Sequence, residues 1–118
     1  MQISEYQRKA METAIYPSGD FAGLAYAALG LNGEAGEFAE HVKKIARDSD
    51  ATESREKLDS AITSRLDSMV KELGDVLWYV AAVCREIGVP MEHVAEKNIA
   101  KLQSRMQRNV IKGNGDNR

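Results

Sequence analysis

Apolar side chains recur along this chain at alternating spacings of three and four residues, the period of one face of an α-helix. The longest run is Leu24, Ala28, Leu31, Ala35, Phe38, Val42 and Ile45, which predicts a helix over Phe21–Arg47. Leu66, Met69, Leu73, Val76, Val80, Val83 and Ile87 predict another over Ala61–Ile87. That second helix carries more apolar positions, Val70, Leu77 and Cys84, on a further flank. Ala95, Ile99, Leu102 and Met106 predict a helix over Met91–Arg108. A shorter one is predicted over Ser4–Ile15, where Ser4-Glu5-Tyr6-Gln7 has the form of a capping box. Tyr16-Pro17-Ser18-Gly19-Asp20 reads as a turn whose Asp20 caps the next helix, and Gly88-Val89-Pro90 as a helix stop. Asp48–Ser60 is polar and charged, and reads as a linker or protruding segment. No stretch alternates as a half-buried strand would, so the expected fold is all-α, with four helices arranged like a four-helix bundle.

The chain has 118 residues, enough for one domain, expected over 1–118 with 109–118 as a flexible, glycine-rich tail or lid. Cys84 is alone, which excludes an intramolecular disulfide; set in an apolar helix, it reads as a core residue. With one cysteine and two histidines, His41 and His93, a thiolate zinc site is excluded, so a metal would rest on oxygen ligands. No apolar run approaches the roughly 20 residues that cross a bilayer, so no membrane association is expected. Met1-Gln2-Ile3-Ser4-Glu5 lacks the basic start and apolar core of a signal peptide, and a cytoplasmic location is expected.

Charge is uneven. Residues 48–90 carry nine acids and five bases, whereas residues 91–118 carry three acids and six bases. An acidic middle speaks against stable nucleic-acid binding, which calls for a strongly basic domain. It leaves room for a site where acids hold a cation and bases hold an anion.

The acids are patterned. Glu34 and Glu37 are three residues apart in one predicted helix, Glu72 and Asp75 three apart in another. With the apolar stripe as heptad positions a and d, Glu34 and Glu72 fall at g, Glu37 and Asp75 at c. Antiparallel packing through the stripes would bring all four to one flank of the seam. Four clustered carboxylates repel one another unless a cation sits between them. Mg²⁺ suits such a site, completed by water and phosphate oxygens. The alternative is a solvated acidic face; Lys43 or Lys71 could also neutralise these acids in surface ion pairs worth about 0–1 kcal/mol each.

The last predicted helix repeats this offset with opposite charge: Asn98, Lys101, Arg105 and Arg108 occupy its g and c positions. Such a stripe suits a polyphosphate, or is a basic face favoured by the helix dipole. Tyr79 lies one turn beyond Asp75, placed to stack on a base, to donate to phosphate, or to line the rim of the bundle. Trp78 is expected against another helix or subunit, and His41, one turn beyond Glu37, reads as a surface histidine or a substrate contact. Gly30, Gly33 and Gly36 each cost a helix roughly 1 kcal/mol against alanine, which suggests close approach by another helix or a ligand.

Three stretches together resemble a known family. They are Gly30-Leu31-Asn32-Gly33-Glu34-Ala35-Gly36-Glu37, Lys71-Glu72-Leu73-Gly74-Asp75-Val76-Leu77-Trp78-Tyr79 and Lys97-Asn98-Ile99-Ala100-Lys101-Leu102. With the closing Gly113-x-Gly115-Asp116-x-Arg118, they resemble the short bacterial and phage branch of the MazG-like all-α nucleoside triphosphate pyrophosphohydrolases. The resemblance covers about residues 20–47 and 70–118 and leaves Asp48–Ser68 unmatched. It implies a Mg²⁺-dependent hydrolase, with Mn²⁺ an alternative ion. The reaction implied is hydrolysis of a nucleoside triphosphate, standard or modified, ribo or deoxy, to monophosphate and pyrophosphate. The implied metal ligands are Glu34, Glu37, Glu72 and Asp75, with Glu34 or Glu37 as the catalytic base. Asn98, Lys101, Arg105 and Tyr79 become the expected substrate contacts. The resemblance also implies a bundle completed by homo-oligomerisation, as a dimer or a dimer of dimers. The competing reading is a catalytically inactive helical bundle that acts as an interaction module.

Overall fold

The structure, a computed structural model, describes residues 1–118. It has five helices and no strands: α1 (Ile3–Met11), α2 (Phe21–Asp48), α3 (Arg55–Thr63), α4 (Leu66–Glu86) and α5 (Met91–Gln107). The all-α expectation holds, and none of the helices is long and apolar enough to cross a membrane. The long helices α2 and α4 form the main pair, while α1 packs on α4 and α5.

Four local expectations are corrected, and the helices number five rather than four. The segment read as a linker contains α3, and the helix predicted from Ala61 is broken at Ser64–Arg65. Ser54 starts α3 by accepting from the Lys57 amide at 3.2 Å, and Arg55–Asp59 is an ion pair at 2.8 Å. The half-buried apolar positions of α3, Leu58, Ala61 and Ile62, span barely one turn, too short a run to stand out among the charged residues around them. The capping box does not form: α1 starts after Gln2, two residues before the predicted cap. Gln7 instead accepts from the Met91 amide at 2.8 Å, supplying from α1 a partner for the first turn of α5. Finally, α1 ends at Met11 rather than Ile15. The other punctuation holds. Asp20 caps α2 through the Gly23 amide at 3.2 Å, and Gly88, at φ +69°, turns the chain out of α4.

The core is thin and built from small side chains. Ala27 on α2 and Ala82 on α4 are fully buried in one cluster, so the two helices approach closely at that level, while fully buried Ala81 packs with Ala10, Cys84 and Met91. Trp78 joins the two core clusters and donates from Nε1 to the Ala10 carbonyl at 3.1 Å and to Thr13 Oγ1 at 2.8 Å. It therefore packs under α1, another helix of the same chain. Cys84 is buried, and burial raises its thiol pKa, consistent with a packing role.

The seam itself is rotated from the predicted stripe. Along α2 Gly23, Ala27, Gly30, Glu34 and His41 are covered together with Leu24, Leu31, Phe38 and Ile45 of the predicted stripe, whereas Ala28, Ala35 and Val42 are exposed. Along α4 Met69, Glu72, Val76, Tyr79 and Val83 are covered while Leu66 and Leu73 are exposed. The g positions therefore stand in the helix interface, and part of the apolar stripe is left on the surface.

Candidate metal centre

The rotation of the seam determines what the acids can do. Glu34 on α2 and Glu72 and Asp75 on α4 each offer a carboxylate oxygen, all within 4.8 Å of one another. Glu34 and Glu72 are half-buried; Asp75 is exposed at the rim. Glu37 is exposed one turn further along α2 and stands outside this group of three. The four acids expected on one flank are therefore three in a cluster with one beside it. Glu37 still acts on the cluster: Glu34 has its pKa raised first by burial, then by the charges of Glu37, Asp75 and Glu72.

No lysine or arginine relieves that repulsion. Lys43 pairs with Glu40, and Lys71 makes no ion pair. The nearest partner is His41, whose Nε2 lies 3.7 Å from Glu72 Oε1, with its own Nδ1 buried and unpartnered. Like charges gathered without a counter-charge, on two helices held by a common core, form a donor set suited to a hard divalent cation. Neutralisation by Lys43 or Lys71 is not what the structure shows.

The glycines beside the acids differ among themselves. A Cβ on Gly30 would fall 2.1 Å from Tyr79 Cε1, so this glycine admits the tyrosine ring against the α2 backbone. Gly33 and Gly36 have nothing within 4 Å of such a Cβ. Tyr79 meets Trp78 edge-on at 5.0 Å and Tyr26 at 6.3 Å. Hydrogen bonding with Tyr26, then burial and nearby Glu34 and Asp75, push its pKa up to about 12, so its phenol stays protonated as a donor. Two neighbours had no sequence signal. Tyr26 sits off the predicted stripe, and Tyr6, whose pKa is raised by burial and by Asp75, comes from α1.

The basic stripe lies apart from the acids. Asn98 and Lys101 line a groove of about 400 Å³ with His93, Val94 and Lys97. Arg105 is 5% exposed, and its Nη2 donates to the carbonyls of Gly115 and Asp116 and to Asp116 Oδ1. Arg108 turns to the Arg118 carbonyl at 2.9 Å. Lys101 and Arg105 pair with Asp116 rather than with Glu34, Glu72 or Asp75.

The family model described as the MazG nucleotide pyrophosphohydrolase domain matches residues 24–110. The chain belongs to that family. The matched MazG segment runs from α2 through α5 and contains all four acids, Tyr79 and the α5 stripe. It also spans Asp48–Ser68, the stretch that the sequence motifs left unmatched. The "Gene 37 protein" of Mycobacterium phage L5 is 46% identical over 122 aligned residues, covering 100% of both chains. No solved structure matches this MazG domain.

Proposed function

We propose that this MazG domain hydrolyses a nucleoside triphosphate between its α and β phosphates, releasing the monophosphate and pyrophosphate. The observation that carries the reading is the unneutralised cluster of Glu34, Glu72 and Asp75 on two helices of the family's matched segment. These residues would hold Mg²⁺, or Mn²⁺, with Glu37 joining them from the next turn. When bound, the ion would draw charge from the phosphate oxygens as the anhydride breaks. The chain's own residues do the rest. Glu37, exposed beside the cluster, or Glu34, with its raised pKa, takes the proton of the attacking water. Tyr79 offers a protonated phenol at the edge of the site. Asn98 and Lys101 bind phosphate from the α5 groove, with Arg105 adding charge beneath the surface.

The separation of acids and bases within one chain gives the assembly its role. In a homo-oligomer, the α5 stripe of one subunit faces the carboxylates of another, and the site lies at a subunit boundary. The cytoplasm, which supplies triphosphate and Mg²⁺, is the matching location.

The test is pyrophosphate release from a panel of nucleoside triphosphates, with Mg²⁺, with Mn²⁺ and with chelator. Glu37→Gln and Asp75→Asn are expected to lower turnover at least about 100-fold while circular dichroism keeps its helical signal. Near-normal turnover in either variant rejects the four-carboxylate assignment. Absence of release from every triphosphate favours the inactive interaction module.

A further inference from the structure

The C-terminal tail ends on the basic stripe of α5. Asp116 Oδ1 lies 3.1 Å from Lys101 Nζ and 3.2 Å from Arg105 Nη2. The two backbone carbonyls on Arg105, from Gly115 and Asp116, fix the tail from below. The tail's closing turn reinforces this fixing. Arg118 donates to the Gly115 and Ile111 carbonyls, and Gly113 and Gly115 adopt φ of +136° and +82°, which favour glycine.

The two cations differ in how firmly they are held. Arg105 is 5% exposed with several tail acceptors, so removing them would strand a buried charge. Lys101 is 41% exposed at its side chain, and its partner Asp116 is 81% exposed. An ion pair that open exchanges readily with an anion from solution. A phosphate oxygen carries the charge and the acceptor geometry that Asp116 presents.

We propose that the Asp116 carboxylate is an internal competitor for the phosphate position on Lys101, and that Arg105 is a positioning residue that clasps the tail there. Substrate phosphate displaces Asp116 from Lys101, while Arg105 keeps the tail docked. Hydrogen bonding to Lys101 and then Arg105 lowers the Asp116 pKa, so the competitor stays ionised through the neutral range. The inference rests on Lys101 as a phosphate contact, as proposed above.

The experiment compares wild type, Asp116→Asn, Lys101→Ala and the double variant. Two readouts are used: nucleotide kinetics, and binding of inorganic tripolyphosphate by calorimetry, which requires no turnover. Asp116→Asn is expected to lower KM and the tripolyphosphate Kd about two- to fivefold, with kcat unchanged. In the Lys101→Ala background the same substitution is expected to have little effect, because the competition has lost its object. An unchanged or raised tripolyphosphate Kd in Asp116→Asn overturns the proposal. So does an equal effect with and without Lys101. If wild type hydrolyses no triphosphate but Asp116→Asn still binds tripolyphosphate more tightly through Lys101, the pyrophosphohydrolase reading fails and the competitor stands.

Discussion

Gly30 and Gly33, three residues apart on one helix, have opposite reasons to be glycine. At Gly30 a methyl group would meet the Tyr79 ring, so Gly30→Ala must push that ring from its place beside the carboxylates. Overpacking of this kind costs about 1–3 kcal/mol, partly offset by about 1 kcal/mol of helix propensity. Gly33→Ala meets open space and is expected to stabilise the isolated chain by about 0.5–1 kcal/mol. Urea unfolding of the two variants checks both signs. If Gly33→Ala also lowers stability or activity, something outside this chain approaches α2 there. Gly23 is a further constrained glycine that the spacing did not single out: its Cβ would lie 2.8 Å from the Pro17 carbonyl oxygen and 2.9 Å from Glu86 Oε2.

Among the elements, the connection from α1 to α2 is fastened to α4 by one carboxylate. Glu86 accepts from the Tyr16 hydroxyl at 2.7 Å and from the Gly19 amide at 3.1 Å, with its side chain 2% exposed. The Tyr16 bond, then the Gly19 bond, hold its pKa below the ordinary carboxylate value of 4.5. A carboxyl with a lowered folded pKa stabilises the fold above its unfolded value, and that contribution is lost as pH falls through the folded value. Thermal melts of wild type and Glu86→Gln are therefore expected to differ most at neutral pH and to converge as pH drops below 4.5. A constant gap across that window would show that Glu86 acts by packing alone. The helices themselves differ in legibility. The positions of α2, α4 and α5 follow from apolar period, but α3 has only Leu58, Ala61 and Ile62, barely one turn of it, beside the Ser54 cap and surface ion pairs.

The whole molecule is open for its mass. Its surface of 8371 Å² compares with roughly 6,300 Å² for a compact monomer of its mass. Its radius of gyration of 17.5 Å compares with about 13.5 Å. The excess of roughly 2,000 Å² per chain, or about 4,000 Å² for two chains, falls in the range that obligate homodimers bury. Phe21, Leu29, Val70, Leu73 and Leu77 are among the large apolar side chains left exposed. A dimer or dimer of dimers is expected by light scattering at micromolar concentration. Val70→Glu, at a position 57% exposed, is expected to weaken association at least about tenfold and to lower Tm. A wild-type monomer at that concentration would reject the expectation.

The sequence by itself determined the all-α class, the Asp20 and Gly88 boundaries and the pairing of acids on two helices, because each depends on local period or on a single residue's backbone chemistry. It also carried the family, through residues that stay recognisable without coordinates. Only the tertiary structure decided how far α2 and α4 rotate about their axes. Fully buried Ala27 and Ala82 allow close approach, and the ring of Tyr79 fits over Gly30. Together they turn Glu34 and Glu72 into the interface and leave Glu37 at its edge. A heptad count fixes which residues share a face. The face that turns inward is settled by side-chain volumes on both partners, a long-range packing term that no single stretch of sequence contains.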